Sequence, residues 1–125
     1  MRPGRRFPFA FLFLALTLQL WTAFPASAHA VLLESSPALK GAVAGPDVPV
    51  RLRFNVRIDA LRSRLTLILP DGTAKTLEIS KETGPDTLSA SANGLAAGEY
   101  RLRWQVLASD GHITRGEIPF TVTHS

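Results

Sequence analysis

Residues 99–106 read Glu-Tyr-Arg-Leu-Arg-Trp-Gln-Val, an unbroken alternation of polar and apolar side chains. Successive side chains of a β-strand point to opposite faces of a sheet, so this pattern predicts a strand with one buried and one solvated face. Residues 48–58 alternate in the same way, and a shorter alternation covers residues 118–122. The chain after residue 28 shows no convincing helical period. The sequence therefore predicts an all-β fold.

Turn-forming residues divide the chain into short strands. Further strands are predicted at 30–33, 65–69, 74–79 and 87–91, and between the strands lie Pro70-Asp71-Gly72, Gly84-Pro85-Asp86 and Asn93-Gly94. About seven short strands joined by turns predict one immunoglobulin-like Greek-key β-sandwich.

Two positions allow sharper predictions. Proline has no ladder donor, so Pro119 predicts that the last strand lies at a sheet edge or carries a bulge. A Leu and a Gly just before Tyr100 resemble a tyrosine corner, in which the phenol bonds back to the upstream connection; the alternative is an ordinary core aromatic.

Residues 1–28 have the three parts of a secretory signal. Residues 1–6 include three arginines, a long apolar run follows, and Ala26-Ser27-Ala28 offers the small residues that signal peptidase accepts. The alternative is an uncleaved membrane anchor, which Pro8, Gln19 and the Ala-Ser-Ala site disfavour. We expect cleavage after Ala28, leaving a 29–125 domain that is exported and has no stable membrane insertion.

Charge and composition exclude several functions. Three of the fourteen basic residues and none of the ten acidic ones lie in residues 1–28, so the remaining chain has a net charge of only +1. This gives no electrostatic case for a nucleic-acid partner. The absence of cysteine excludes disulfides, thiolate metal sites and thiol catalysis. Outward arginines at 51–57 and 101–103 form either a cationic patch or ordinary solvated surface.

Three residues are candidate metal ligands: His29, Asp110 and His112. Cleavage would give His29 a free α-amine beside its imidazole, and Asp110 and His112 lie two residues apart at the predicted tip of the last hairpin. Nitrogen and oxygen donors of this kind suit copper(II), whereas zinc accepts the same donors but prefers a tetrahedron. Either motif alone is a weak signal; His124 is a weaker candidate, and Glu34 is interpreted as solvated surface.

These motifs together resemble the CopC family of periplasmic copper-binding proteins. The similarity covers essentially all of residues 29–125, through His-Ala-Val-Leu-Leu-Glu-Ser-Ser-Pro-Ala at 29–38, Val-Arg-Leu-Arg-Phe at 50–54, residues 95–100, Trp104, Ser-Asp-Gly-His at 109–112, Gly116, Phe120 and Val122. The resemblance implies a cupredoxin-like or immunoglobulin-like β-barrel sandwich, and it implies that His29, Asp110 and His112 are copper(II) ligands.

Two departures refine what the resemblance implies. Members with a copper(I) site use a Met-rich loop, which this chain lacks, so it resembles the copper(II)-only branch. Some members have an acidic residue shortly after the Phe of the second strand, but here Asn55-Val56-Arg57 follows Phe54, so a water would complete the coordination plane.

The function expected from these observations is copper(II) sequestration or delivery by a monomer, not catalysis. The resemblance implies an inner-membrane copper transporter of the CopD type as the partner. One alternative is an enzyme, since lytic polysaccharide monooxygenases also hold copper through an N-terminal histidine on a β-sandwich. The other is a metal-free sandwich that serves adhesion or assembly.

Overall fold

The computed structural model describes residues 29–81 and 83–124, which fold into eight strands and one short 3₁₀ helix at Ala60–Arg62. The predicted signal peptide, residues 1–28, lies outside the described residues. The strands are β1 (Leu32–Ser36), β2 (Ala42–Ala44), β3 (Val48–Phe54), β4 (Arg64–Ile68), β5 (Ala74–Leu77), β6 (Thr87–Ala92), β7 (Gly98–Leu107) and β8 (Ile113–Thr123). The predicted all-β fold is confirmed, with one more strand than expected. None of the described helices has the length and apolar character needed to span a bilayer.

Two sheets pack face to face. The first has the order β1-β3-β6 and the second the order β2-β8-β7-β4-β5. Neighbouring strands are antiparallel except β2 and β8, which run parallel. The immunoglobulin-like sandwich is thus confirmed. Its longest ladder joins β7 to β8 from Gly98–Val122 to Leu107–Ile113, so one long hairpin spans the molecule.

The core is made from the alternating residues that the sequence pattern selects. Leu52 and Phe54 of β3 belong to the same buried cluster as Leu102 and Trp104 of β7, and the rings of Phe54 and Trp104 meet edge to face with their centroids 5.2 Å apart. Burying a large apolar side chain contributes roughly 1.5–3 kcal/mol. Apolar packing therefore holds together a domain that has no disulfide.

Tyr100 forms the predicted tyrosine corner and is also a core residue. Its hydroxyl donates a hydrogen bond to the Ala96 carbonyl at 2.8 Å. The same ring is 4% exposed and stacks on Phe120 at a centroid distance of 5.7 Å. The two interpretations of Tyr100 are therefore both correct.

The prediction for Pro119 is wrong, because β8 is an interior strand that pairs with β7 without a register shift. The Pro119 carbonyl accepts from the Lys40 amide at 2.7 Å. In an extended strand the nitrogen and oxygen of one residue point to the same side, so the missing donor faces the segment at Lys40 and not β7. The β7–β8 ladder loses nothing.

Residues 55–58 do not continue the strand that is predicted at 48–58. β3 ends at Phe54, and the chain crosses to the other sheet, where Ile58 forms an isolated bridge with Ala108. The Asp59 amide then donates to the Leu107 carbonyl at 2.8 Å. This crossing brings the end of β3 next to the β7–β8 turn.

Candidate metal centre

The β7–β8 turn positions two of the candidate ligands. The Ala108 amide donates to the His112 carbonyl at 2.8 Å, and the Gly111 amide donates to the Ala108 carbonyl at 2.9 Å. Gly111 has φ of +92°, a conformation that glycine adopts without steric cost. Asp110 and His112 therefore project from a tight turn at one end of the sandwich, and the alternation of β7 does not continue through them.

Asp110 and His112 are bonded to each other twice. One carboxylate oxygen, Oδ1, accepts from the His112 amide at 3.1 Å, and Oδ2 lies 3.1 Å from His112 Nδ1. The hydrogen bond from the His112 side chain, followed by the one from its backbone, lowers the pKa of Asp110 below its usual value. The carboxylate is therefore ionised at neutral pH, and Nε2 is the His112 ring nitrogen that this pair does not use.

His29 reaches the same turn from the opposite end of the sequence. Asn55 fixes the chain that follows His29. Its side-chain Oδ1 accepts from the Val31 amide at 2.7 Å, and its backbone amide donates to the Val31 carbonyl at 3.0 Å. Ala30 is buried and anchors the segment. As a result the His29 and His112 rings lie 5.5 Å apart between centroids, at an angle of 61°.

The three predicted residues thus form one cluster, in which His112 contacts both His29 and Asp110. Across residues 29–81 and 83–124, no group of three or more His, Asp or Glu side chains is already arranged to hold a metal ion. In this chain the backbone nitrogen of His29 belongs to a peptide bond with Ala28, so the predicted amine donor exists only after cleavage. The ligand role of these residues remains a prediction.

Two other charged residues considered in the sequence lie outside this cluster. The Glu34 carboxylate accepts a hydrogen bond from the Arg53 guanidinium at 2.8 Å, and this hydrogen bond lowers the pKa of Glu34. His124 follows the far end of β8, twelve residues beyond His112. At about 3.3 Å per residue of strand, the two histidines are roughly 40 Å apart.

Sequence reasoning did not assign structural roles to Asn55 or Arg57. Asn55 fixes the start of β1, and the Arg57 carbonyl accepts from the Ser109 amide at 3.0 Å, which ties the β7–β8 turn to the crossing segment. Both contacts join residues far apart in sequence. No local motif signals them, because they depend on where the chain leaves β3.

Comparisons with known proteins identify relatives of this chain. The family model described as the CopC domain matches residues 32–123. Copper resistance protein C of Escherichia coli is 30% identical over 114 residues, which cover 84% of this chain and 90% of that protein.

Solved structures give the same result. The crystal structure of CopC from Methylosinus trichosporium OB3b is 32% identical with a TM-score of 0.69, covering 77% of this chain and 95% of that one. PcoC, described as a methionine-rich copper resistance protein from Escherichia coli, is 27% identical with a TM-score of 0.64, covering 77% of this chain and 100% of its own.

Proposed function

Because this chain belongs to the CopC family, we propose that it is an exported protein that binds copper(II) and sequesters or delivers it in the periplasm. The observation that carries the proposal is the convergence at one end of the sandwich of the His29 ring with the bonded Asp110–His112 pair. The relatives carry the name copper resistance protein, which supports copper as the metal.

The proposed coordination sphere contains three nitrogens and one oxygen. After cleavage, His29 would chelate through its amine and imidazole, His112 would add a second imidazole, and Asp110 a carboxylate. Such donors in a tetragonal arrangement suit copper(II), which also has the highest affinity in the divalent series. The negative charge of Asp110 partly neutralises the dication and favours the oxidised metal. A water would be a further ligand beyond these four donors, because Asn55 is engaged with Val31.

The same composition argues against a copper(I) site. Copper(I) prefers thioether or thiolate ligands, and the only methionine of the chain is Met1, while cysteine is absent. PcoC, by contrast, is described as methionine-rich. We therefore assign this chain to a branch that holds copper(II) only.

Transport is favoured over catalysis by the surface of the domain. Every Phe, Tyr and Trp among the described residues is buried: Phe54, Tyr100, Trp104 and Phe120. The flat aromatic face with which polysaccharide monooxygenases bind their substrate is therefore missing from this part of the chain. We propose a monomeric carrier, not an enzyme, that hands copper to an inner-membrane transporter of the CopD type.

The test is an electron paramagnetic resonance spectrum of the exported protein with one equivalent of copper(II). Nitrogen hyperfine structure on a tetragonal signal, together with a mass spectrum showing His29 as the first residue, is the expected result. A different first residue removes the amine donor and refutes this site. The metal-free alternative predicts no tight binding, and peroxide-driven polysaccharide oxidation would support the enzyme instead.

A further inference from the structure

The outer face of the five-stranded sheet carries four arginines on adjacent strands, and we call them the arginine face: Arg64, Arg101, Arg103 and Arg115. Their register is fixed by the two ladders of β7. Gln105 lies opposite Arg64 on one side and opposite Arg115 on the other, while Arg103 lies opposite Glu117. Since neighbouring strands are about 4.8 Å apart, the guanidinium groups share one continuous surface.

The positive charge of this face is only partly balanced. Glu117 accepts from Arg103 at 2.8 Å and from Arg101 at 3.1 Å, so one carboxylate serves two cations. Arg115 donates to the neutral Gln105 at 2.9 Å, and Arg64 has no ion pair within the described residues. The other outward carboxylate, that of Glu99, lies at the far end of the face. The uncompensated charge is therefore concentrated at Arg64 and Arg115.

An apolar group continues the face toward the candidate metal centre. The pair that follows Gln105–Arg115 along the hairpin on the same side is Leu107–Ile113, and Ile113 is 52% exposed. Leu61, on the 3₁₀ helix, is 85% exposed. Two residues before it, the Asp59 amide donates to the Leu107 carbonyl, which holds the helix beside this end of β7. We call Leu61, Leu107 and Ile113 the apolar tip. It adjoins His112 in sequence.

We propose that the arginine face and the apolar tip dock this protein on an anionic phospholipid surface, with the metal-site end against the headgroups. Exposed apolar side chains that enter the interface, together with cations that contact lipid phosphates, are the combination by which peripheral proteins bind membranes. The two kinds of side chain occupy separate ends of one open face, which suits a layered lipid surface better than an acidic pocket of a protein.

The opposite sheet has exposed apolar residues, Val31 and Leu33, but a smaller excess of positive charge. On its outer face Arg53 is paired with Glu34, and the one other arginine of β3, Arg51, lies opposite Ser89 of β6. The larger excess of charge on the arginine face would therefore favour one orientation of the docked domain. If the proposed copper carriage is correct, that orientation places the loaded site beside a membrane transporter; the docking itself does not depend on bound copper.

The uncompensated charge of the arginine face determines how strongly the protein should prefer anionic vesicles and how this binding should depend on salt. Each basic residue near an anionic bilayer strengthens binding about fivefold. Two to three uncompensated charges should therefore favour anionic over neutral vesicles by roughly 25- to 100-fold. Exposed charges are screened by salt, so binding to anionic vesicles should weaken strongly as ionic strength rises.

The experiment measures sedimentation of the exported protein with vesicles of phosphatidylcholine, with and without phosphatidylglycerol. We expect binding only to the anionic vesicles, and Arg64→Glu/Arg115→Glu should weaken it at least tenfold. The matched control is Arg51→Glu/Lys81→Glu, which makes the same charge change on the opposite face and should leave binding within twofold. Ile113→Ser should weaken binding several-fold, whereas Leu39→Ser, at an exposed site on another loop, should not.

Several outcomes overturn the proposal: no binding, equal binding to neutral vesicles, or equal loss in the control pair. Full displacement by millimolar inorganic phosphate would indicate a free-anion site instead, and vesicle binding abolished only by added acidic protein would indicate a protein partner. Arg64→Gln/Arg115→Gln repeats the test without introducing repulsion. Copper(II) spectra of the same variants separate the two proposals, because charge reversal should leave the copper signal unchanged.

Discussion

Asp110 and His112 act on each other through two hydrogen bonds in a turn that a glycine makes possible. The carboxylate orients the imidazole, and the imidazole in turn lowers the pKa of the carboxyl group. An orienting carboxylate next to a ligating histidine raises its basicity and fixes its ring. In this pair the carboxylate is also a candidate ligand, so the residue that orients His112 would itself help to hold a bound cation.

The first prediction concerns the choice of histidine. His112→Ala should lower copper(II) affinity by at least 100-fold, because it removes one nitrogen donor and the partner of Asp110. His124→Ala is the matched control and should change affinity less than twofold, since this residue lies at the far end of β8. Competitive titration against a copper(II) chelator measures both. A larger loss of copper(II) affinity for His124→Ala than for His112→Ala would show that His112 is not the ligand.

The second prediction concerns Glu117 and pH. Hydrogen bonding to Arg103, followed by the charge of Arg101, lowers the pKa of Glu117 below 4.5. A lowered folded-state pKa stabilises the protein above the unfolded value, and this contribution is lost as pH falls through the folded value. The thermal midpoint of wild type should therefore exceed that of Glu117→Gln at pH 7, by a few °C at most, and the gap should close below about pH 4.

Glu78→Gln is the control for this experiment, because Glu78 is exposed and has no ion pair within the described part of the chain. The difference in thermal midpoint between Glu78→Gln and wild type should not change with pH in the way that the Glu117→Gln difference does. A Glu117→Gln difference that persists unchanged into acid would mean that the arginines do not stabilise the ionised carboxylate.

At this scale the sequence predicts which side chains cluster but not how they are held. The Asp110 and His112 motif, the exposed His29 after cleavage and the family resemblance together point to one site. Asn55 and Arg57, which tie the three chain segments together, carry no local signature. Their contacts follow from the register between β1 and the end of β3, and register depends on the packed sheets.

Among the elements, the β7–β8 hairpin has the strictest packing requirement, at Gly116. A Cβ at this position would lie 2.2 Å from Cζ2 of Trp104, its cross-strand partner. The Trp104 ring therefore lies across the glycine, and the same ring packs on Phe54 in the other sheet. The absence of a Cβ at Gly116 therefore leaves the space in which the Trp104 ring lies when it packs against the other sheet.

The third prediction follows from this contact. Gly116→Ala should destabilise the domain by roughly 1–3 kcal/mol or more, because overpacking forces Trp104 out of its position. Gly84→Ala is the control, since its nearest neighbour would be an Asp86 oxygen at 3.8 Å. Urea unfolding followed by Trp104 fluorescence measures both. Equal stability of the two variants would show that the ring moves without cost.

The elements that alternate strongly are predicted well, and those without alternation are not. β3 and β7 follow directly from period two, while β2 is missed because Ala42–Ala44 is short and alanine-rich and gains its order from pairing with β8. The first part of the crossing, residues 55–58, is mistaken for strand because Val56 and Ile58 continue the period. Tertiary bonds to residues 107–109, not local preference, end β3 at Phe54.

In the whole molecule, two sheets bring the start of the described chain and the last hairpin to the same end. A sandwich of this topology places residues 29 and 112 side by side although 83 positions separate them. Strand alternation predicts the sandwich, but the meeting of these ends comes from the sheet order β1-β3-β6 and the crossing to β7. The chemistry of His29, Asp110 and His112 and the family resemblance predict the cluster, whereas strand alternation does not.

The fourth prediction concerns this end of the molecule. Adding one residue before His29 of the exported protein should weaken copper(II) binding by at least tenfold, because it converts the amine donor into an amide. Folding should be unchanged, as the core begins with Ala30. Adding one residue after Ser125 is the control. Titration against a copper(II) chelator distinguishes them, and equal affinity would exclude the amine as a ligand.

The placement of His124 at the opposite pole from the β7–β8 turn has a practical consequence for instrument-based assays. A fluorophore or a surface linker attached beyond this residue would stand roughly 40 Å from the imidazole of His112. That distance leaves the cluster unobstructed by the attached group. The fold therefore places an attachment site for a label at the opposite end of the domain from the candidate metal centre.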